Sequence, residues 1–502
     1  MKWSAFEISL EKGGSAAGAG VVLKGPTNCG RQLPRARLAS AVPVSEGGLD
    51  ARNTLISRFK RVQTLTNKTT STGDNKVSSR FTVCGLHPAQ VVAPQTREET
   101  GRLLKEANAQ NWAVVPFGSG SKQHIGNALK KFDVALSLEH FNQILEFEPQ
   151  DLVVKVQAGC PLATLQARLA QDGLSLPVDP PWQDVATVGG IVSSHDSGPL
   201  RFFHGTIRDY LIGVSLIQPD GAWTKFGSRV VKNVTGYDMC KLYTGAFGTL
   251  GVLLDFYFKL KPLPPSEKTV VVKFKGLTES AQALARLLSS PLLPAAVELL
   301  NPVALEFVNH SLNLTEGEPG YALVLRFGDV ENSVQWQVEQ LEKLWDGLTA
   351  QGVIVGDMGE QALVWQMLRE DRTWLEQPAL NVKLKLNCLP NQVATMAGRL
   401  ETVRKELNAE LRLKAHAGSG VIRAYLAFEE SASATSQFVW QLQNLRAELK
   451  PTRGTVIVES APASLKSGID VWGYDFKDRT LMQQIRQQYD PRAILNPGRF
   501  VV

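Results

Sequence analysis

The chain has 502 residues and a mass of 54.9 kDa, with 43% hydrophobic and 20% charged residues. This length exceeds what one hydrophobic core usually supports, so we expect two or three domains, and the composition excludes a fibrous or wholly disordered protein. No uncharged apolar run approaches about 18 residues, so the sequence predicts no membrane-spanning helix.

The net charge of +6 is concentrated at the N-terminus, because residues 1–80 carry a balance of +8 and the remainder −2. A nearly neutral body lacks the organised basic surface of a nucleic-acid-binding protein. Residues 1–80 are rich in Gly, Ser and Thr and show little periodicity, which predicts a disordered extension. Its Arg and Ser content with few acids also resembles an organelle transit peptide, and an early start codon is an equal alternative.

The five cysteines are far apart, at positions 29, 84, 160, 240 and 388. This spacing excludes a zinc ribbon and an iron–sulfur cluster held by this chain alone. We expect reduced, mostly buried thiols, as in a cytoplasmic protein, and no metal site.

Regular structure is predicted from about Phe81 onward. A helix begins after Thr96, because Thr96 and Glu99 have the spacing of a capping box. Alternating or β-branched runs then predict strands, and apolar periodicity predicts a helix. The strands cover 113–116, 134–138 and 152–157, and the helix covers 162–171.

The Pro-rich stretch 261–265 marks a domain boundary. Beyond it the sequence predicts a separate α+β domain with no internal repeat. Its strands are predicted over 268–275 and 321–327, and its amphipathic helices over 277–289, 332–349 and 391–408.

Three glycine-rich stretches follow predicted strands within about 140 residues of one another. They are residues 118–121, residues 179–198, and residues 231–238 together with 245–252. Alternating glycines allow backbone amides to converge on one anion, although a tight turn alone explains any one of these stretches. The first is neither a Walker loop nor a complete dinucleotide fingerprint.

Taken together, the stretches resemble the PCMH-type FAD-binding domain of the vanillyl-alcohol oxidase superfamily. The likeness is closest to the E-subunit family of bacterial glycolate oxidases, strong over 81–264, weaker over 268–450 and absent over 1–80. The motifs that carry it are Pro116 to Ser121, Thr187-Val188-Gly189-Gly190, Lys232-Asn233, Gly236-Tyr237-Asp238, Gly248-Thr249-Leu250-Gly251 and Leu495-Asn496-Pro497-Gly498-Arg499.

The resemblance implies an α+β fold in three parts. Residues 81–264 would form the PCMH-type FAD-binding domain of two α+β subdomains. Residues 265–460 would form a ferredoxin-like α+β cap that binds substrate, and residues 461–502 would return to pack on the FAD domain.

The resemblance also implies which residues bind FAD. Its pyrophosphate would lie in the loop Pro116 to Lys122, and other segments would contact the rest of the cofactor. The implied set is Pro116, Phe117, Gly118, Ser119, Gly120, Ser121, Lys122, Ala158, Gly159, Pro181, Asp184, Thr187, Gly189, Gly190, Ser193, Ser194, Asp196, Gly248, Thr249, Gly251 and Val252.

In several relatives a histidine of the pyrophosphate loop holds the flavin covalently, and Ser121 occupies the matching position here. We therefore expect non-covalent FAD. His124 does not match, and we interpret it as a surface or structural histidine.

Relatives that oxidise 2-hydroxy acids carry a His-x-Gly-Asp-Gly-Asn-x-His stretch and a later Glu-His pair. The comparable stretch here begins at His416 and ends at Arg423, with Ser, Val and Arg where Asp, Asn and the second His would stand, and Glu459-Ser460 lacks the later His. Two missing imidazoles make a poor metal site. The candidate catalytic residues are His416 as a residual base and Arg423 as a carboxylate clamp, with a structural His and a salt-bridged Arg as alternatives.

Three hypotheses on function stay open. The first is an FAD-binding subunit of a glycolate-oxidase-type complex, whose partners would be a catalytic FAD subunit and an iron–sulfur subunit and whose substrate would be a small 2-hydroxy acid. The second is a stand-alone FAD-linked 2-hydroxy-acid dehydrogenase, such as a D-lactate dehydrogenase. The third is a structural subunit that keeps the fold without flavin chemistry. The expected location is the cytoplasm, or the periphery of the inner membrane through the complex, with organelle targeting left open.

Overall fold

The computed structural model describes residues 80–230, 236–312, 318–348, 350–355, 358–370, 380–429 and 431–500. The disorder expected for residues 1–80 therefore falls outside the described residues, except at Arg80.

A three-stranded parallel sheet has strands on both sides of the first glycine-rich loop in the chain. Helix α1 (Arg97–Gln110) begins where the sequence predicts, because the Thr96 hydroxyl accepts a hydrogen bond from the Glu99 amide at 3.1 Å. The strands are β1 (Gln90–Val92), β2 (Val114–Phe117) and β3 (Val134–Ser137), in the order β1-β3-β2. Since β2 runs directly into residues 118–121, this sheet fixes where the loop starts.

A five-stranded antiparallel sheet follows in the chain. Its strands are β4 (Ile144–Glu148), β5 (Val153–Gln157), β7 (Leu211–Ile217), β8 (Trp223–Gly227) and β9 (Val252–Lys259), in the order β4-β5-β9-β7-β8. A short pair, β6 (Leu174–Ser175) and β10 (Lys261–Pro262), stands apart. The helices of this region are α2 (Leu162–Ala170), α3 (Val188–Ser194), α4 (Arg201–His204), α5 (Ile207–Tyr210) and α6 (Met239–Tyr243). The apolar face of α2 and the start of α3 share one core with β5 and β9.

An eight-stranded antiparallel sheet forms the second half of the molecule. Its strands are β11 (Ser266–Phe274), β12 (Ala296–Leu300), β13 (Tyr321–Asp329), β14 (Ala350–Val355), β15 (Leu380–Asn387), β16 (Glu410–His416), β17 (Val421–Phe428) and β18 (Thr455–Ser460). The order is β14-β11-β13-β12-β16-β17-β15-β18. Its helices are α7 (Leu277–Leu288), α8 (Pro302–Leu312), α9 (Glu331–Leu344), α10 (Met358–Arg369), α11 (Val393–Glu406) and α12 (Ala432–Leu449).

This sheet is two ferredoxin-like units joined edge to edge. In each unit the four strands lie in the order fourth, first, third, second, and the two units meet where β12 pairs with β16. Glu298 of the first unit lies directly opposite His416 of the second in that pairing. The α+β class and the ferredoxin-like cap are confirmed. The cap contains two units with the same strand order, although the sequence shows no internal repeat.

The segment after β18 returns to the first sheet. It contains α13 (Ala463–Lys466) and α14 (Phe476–Tyr489). The Val114 amide donates to the Ile494 carbonyl at 2.8 Å, and the Asn496 amide donates to the Val114 carbonyl at 3.0 Å. The buried Asp490 carboxylate accepts from the Ile494 and Leu495 amides at 3.0 and 2.8 Å. These bonds place the C-terminal motif beside the glycine-rich loops.

Candidate functional site

Two glycine-rich bends lie in direct contact. Residues 118–121 leave β2 and pass so close to Thr187 that a Cβ on Gly118 would lie 2.1 Å from its Oγ1. The same oxygen accepts from the Gly190 amide at 3.3 Å and caps α3. Only glycine fits at position 118, because any larger residue would overlap the cap.

A second close approach joins Gly189 to Ala158, the residue after β5. The Gly189 amide donates to the Ala158 carbonyl at 2.8 Å, and a Cβ on Gly189 would lie 2.7 Å from the Ala158 Cβ. The third glycine-rich stretch joins them through Gly248, whose φ of +64° favours glycine and whose Cβ would lie 3.0 Å from Asn496 Nδ2. Five separate segments of the chain therefore meet at one place.

These segments line an open cleft, in which the free space, including the solvent at its mouth, is about 700 Å³. Most residues expected to bind the cofactor line it, namely Pro116, Phe117, Gly118, Ser119, Gly120, Ser121, Lys122, Ala158, Thr187, Gly189, Gly190, Ser193, Ser194, Gly248 and Gly251.

The other expected cofactor residues lie outside this lining, and their roles stay predictions. They are Gly159, Pro181, Asp184, Asp196, Thr249 and Val252. Asp196 is buried next to Lys122, whereas Asp184 is exposed. Thr249 is buried and donates its hydroxyl to the Ala246 carbonyl at 2.7 Å.

The cleft also has lining residues that the sequence reasoning did not assign: Gln123, Leu138, Phe247, Leu253, Asn496 and Arg499. Asn496 and Arg499 belong to the terminal motif, so the resemblance could have predicted that they line the cleft. The Arg499 guanidinium donates to the Ile125 and Lys122 carbonyls, both at 2.9 Å, and so holds the end of the first loop. Leu138 and Leu253 are apolar strand-end residues, and no sequence signal separates them from the core.

The residues of this cleft suit FAD. Glycine backbone with the hydroxyls of Ser119 and Ser121 suits diphosphate oxygens, and the Lys122 ammonium adds positive charge. Leu138 and Leu253 lie outside the glycine-rich stretches, and together with Phe247 they offer apolar surface to a flat ring system.

Ser121 lies in this lining, where several relatives have the covalent histidine. His124 is not part of the lining, and its ring lies 6.4 Å from that of Trp182. Burial, followed by the charges of Lys383 and Lys122, lowers the pKa of His124 to about 3. A neutral, half-buried imidazole agrees with a structural role for His124, which is one of the two roles expected from the sequence.

The candidate catalytic residues His416 and Arg423 lie in contact on the hairpin of β16 and β17. Arg423 Nη1 is 2.8 Å from His416 Nε2, and both side chains are buried. Because a guanidinium only donates hydrogen bonds, Nε2 must accept and the imidazole proton must sit on Nδ1. Nδ1 lies 2.6 Å from Glu298 Oε1 and therefore donates to it. The basic lone pair of His416 is thus engaged by Arg423.

Arg423 is also paired with a carboxylate of the first half of the molecule. Its Nη2 donates to Asp196 Oδ1 at 2.8 Å and to the Ser197 carbonyl at 3.0 Å. The second oxygen of Asp196 pairs with the ammonium of Lys122, at the end of the first loop. We call Lys122, Asp196, Arg423, His416 and Glu298 the buried polar chain.

A neighbouring ion pair joins Lys383 Nζ to Glu459 Oε2 at 2.7 Å, and Arg423 Nε lies 3.9 Å from the same oxygen. Burial alone would raise the pKa of Glu459, but the charges of Lys383 and Arg423 outweigh it and lower the pKa to about 2. The Glu459 carboxylate is therefore charged at neutral pH and balances the local cations.

Burial, followed by the charge of Arg423, lowers the pKa of His416 well below its ordinary value. Burial raises the pKa of Glu298 well above its ordinary value. Both directions favour the neutral forms of this pair. In the described residues, no three His, Cys, Asp or Glu side chains come together as metal ligands.

Several other residues singled out in the sequence lie away from this site. Lys232 falls outside the described residues, and Tyr237 is 95% exposed. His195 Nε2 lies 3.0 Å from Thr206 Oγ1, and burial lowers its pKa to about 4. Burial likewise lowers the pKa of His204 to about 4.

The described cysteines are free thiols, buried at Cys160 and Cys240 and half-buried at Cys84 and Cys388. Burial raises the pKa of Cys160 to about 11, so this thiol is a poor nucleophile at neutral pH.

Two family models match the chain in tandem. The FAD binding domain matches residues 88–227, and the C-terminal domain of FAD linked oxidases matches residues 263–500. Among solved structures, p-cresol methylhydroxylase with bound substrate has a TM-score of 0.65 at 15% identity, covering 91% of this chain and 97% of its own. Alkyldihydroxyacetonephosphate synthase has a TM-score of 0.61 at 17% identity, covering 82% of this chain and 76% of its own.

The names of the curated relatives refer to the oxidation of 2-hydroxy acids. Glycolate oxidase subunit GlcD of Bacillus subtilis is 24% identical, over 82% of this chain and 88% of that protein. D-lactate dehydrogenase of Anaerostipes hadrus is 24% identical, over 82% and 89%. D-2-hydroxyglutarate dehydrogenase of Xanthomonas citri is 26% identical, over 82% and 89%.

The chain belongs to the PCMH-type FAD-binding proteins of the vanillyl-alcohol oxidase superfamily. It is an FAD-dependent oxidoreductase. No helix in the described part of the chain is long and apolar enough to cross a bilayer.

We expect Gly120→Asp to abolish FAD retention, because a carboxylate would face the pyrophosphate. Gly120 has a φ of +81°, and the nearest atom to a Cβ there is 3.8 Å away, so the position has space but strains any L residue. Gly120→Asn is the matched control, since it carries the same strain without the charge. FAD titration of the apoproteins should show at least about tenfold weaker binding for Asp than for Asn. Equal affinities of the two folded variants would refute the assignment of this loop.

A pH-dependent stability is expected from Asp179, which is buried and accepts from the Leu200 amide at 3.1 and 3.2 Å. Burial raises its pKa to about 7. The unfolded chain releases this proton near pH 4, whereas the folded chain keeps it until about pH 7, so stability falls as pH rises between these values. Relative to Asp179→Asn, the free energy of unfolding of the wild type should fall by about 3 kcal/mol at most between pH 5 and pH 8, measured by urea unfolding at the two pH values. A difference that does not change with pH would contradict this.

Proposed function

We propose that this chain is the FAD-binding subunit, similar to the E subunit, of a glycolate-oxidase-type complex. The complex would oxidise glycolate or another small 2-hydroxy acid to the 2-oxo acid. Its other members would be a catalytic FAD subunit and an iron–sulfur subunit. The names of the relatives, which include a glycolate oxidase subunit and dehydrogenases of 2-hydroxy acids, support the substrate class. The proposed location is the cytoplasm, with contact to the inner membrane only through the complex.

Bound FAD would supply the hydride acceptor for C2 of such an acid, and the reaction would also need a base for the hydroxyl proton. The first loop and Lys122 would hold the pyrophosphate. The loop supplies backbone and hydroxyl groups, and Arg499 fixes its end through the Lys122 carbonyl. Because Ser121 stands at the covalent position, the cofactor would be dissociable.

One observation carries the subunit role: Arg423 is already satisfied by protein groups. A 2-hydroxy acid needs a cation for its carboxylate and a base for its hydroxyl proton. Arg423 pairs with Asp196 at 2.8 Å, and the Nε2 lone pair of His416 accepts a hydrogen bond from Arg423. A substrate carboxylate would have to displace a buried carboxylate from its partner, which is costly. This arrangement favours electron transfer or assembly over substrate oxidation by this chain alone.

A second candidate is a stand-alone FAD-linked 2-hydroxy-acid dehydrogenase. The contact between Arg423 and His416 favours it, because these are the groups that such a reaction needs and they lie together beside Asp196. A structural subunit without flavin is disfavoured, because a purely structural fold would have no reason to leave open a cleft lined by three glycine-rich segments.

Anaerobic flavin reduction separates these functions. The purified chain, loaded with FAD, is mixed with glycolate and with D-lactate, alone and after addition of the catalytic and iron–sulfur subunits. We expect the flavin absorbance of this chain to persist with either acid alone and to decrease only in the reconstituted complex. Dithionite serves as the control that the flavin is reducible. Bleaching by either acid without partners would contradict the subunit role and support the stand-alone enzyme, and a chain that takes up no FAD would contradict both.

A further inference from the structure

The carboxylate of Asp196 contacts both the FAD-binding half and the cap. It lies two residues beyond the end of α3 and is 6% exposed. One oxygen faces Lys122, which ends the first loop, and the other faces Arg423, which lies on β17 of the cap. The chain distance from Asp196 to Arg423 is 227 residues, so this contact exists only in the folded, docked state.

Each oxygen of Asp196 has a distinct cation. Oδ1 accepts from Arg423 Nη2 at 2.8 Å and from the Ser197 amide at 2.9 Å, and Oδ2 pairs with the Lys122 ammonium. Burial alone would raise the pKa of Asp196, but Lys122 and Arg423 hold it below its ordinary value, with smaller contributions from Lys383 and Lys385. The carboxylate is therefore ionised and shared between the two cations.

The cap side of this contact is firmly oriented. The Arg423 guanidinium also donates to the Ser197 carbonyl at 3.0 Å and bonds to His416 at 2.8 Å, and His416 bonds in turn to Glu298 on β12. A guanidinium with three fixed acceptors has little freedom to turn. The position of the Asp196 carboxylate, and through it of the Lys122 ammonium, therefore depends on the cap.

We propose that Asp196 is a positioning residue through which Arg423 of the cap sets the affinity of the first loop for the FAD diphosphate. The two cations share the negative charge of Asp196, which leaves the Lys122 ammonium able to attract a diphosphate. Without Arg423, Lys122 alone compensates the charge of Asp196, and its ammonium then attracts the diphosphate less strongly. This inference rests on the assignment of the cleft as the FAD site, and it does not depend on the substrate or on any partner.

A double-mutant cycle on FAD affinity tests the coupling. The dissociation constant of FAD is measured by titrating full-length apoprotein for wild type, Arg423→Gln, Asp196→Asn and the double variant. We expect Arg423→Gln to weaken FAD binding about fivefold or more in the wild-type background and less than about twofold in the Asp196→Asn background. Arg423→Lys, which keeps the charge but not the guanidinium geometry, should weaken FAD binding less than Arg423→Gln does. Arg399→Gln, which removes a cap arginine paired with Glu448 instead, should leave it unchanged.

An equal effect of Arg423→Gln in both backgrounds, or no effect in either, would overturn the coupling while leaving FAD binding intact. Failure of the wild type to bind FAD would overturn the coupling and the proposed function together. Flavin reduction by an acid without partners would overturn the proposed function alone.

Hydrogen exchange of the wild type gives a second test that needs no variant to fold. Coupling is reciprocal, so if the contact between Asp196 and Arg423 strengthens FAD binding, bound FAD must also strengthen this contact. We expect FAD to slow amide exchange in β17 more than in β14, the far edge strand of the same sheet. Equal slowing in the two strands, or none in β17, would overturn the proposal.

Discussion

The whole site depends on backbone segments that approach one another more closely than side chains would allow. Gly118 against Thr187 and Gly189 against Ala158 are positions where a Cβ would overlap its neighbour. These contacts hold the end of β2, the start of α3 and the end of β5 at one place, and the C-terminal motif closes the arrangement through Asn496, which donates to the Phe247 carbonyl at 2.8 Å. An open cleft with backbone groups on its walls is the direct consequence.

Buried charges join this cleft to the cap, beside apolar contacts such as that of Phe202 with the cap core. A buried carboxylate costs several kcal/mol unless it is paired, so Asp196, Lys122 and Arg423 stabilise the docked cap only as a set. The same pairing occupies the groups that a 2-hydroxy acid would need. The same arginine therefore cannot stabilise the docked cap and bind a substrate carboxylate at once. The paired state is the reason for our proposal that this chain binds the cofactor within a complex and is not a self-sufficient dehydrogenase.

Local signals in the sequence predicted much of the fold. The Thr96 cap, the glycine-rich loops and the helices of the cap follow from spacing and periodicity, which act over a few residues. The sequence did not reveal the doubled ferredoxin-like topology, because two units can share strand order without sharing residues. It also could not show that Asn496 and Arg499 line the cleft or that Arg423 is held by Asp196, since these contacts join positions more than 200 residues apart.

Acid precipitation of the FAD-loaded protein tests the central claim most directly, because it measures whether the cleft holds one dinucleotide without a covalent bond. The structure predicts that the supernatant contains intact FAD in a one-to-one ratio to the chain. Flavin that stays with the precipitated protein, or a chain that binds none, would contradict a site in which glycine backbone and Ser121 replace a covalent histidine.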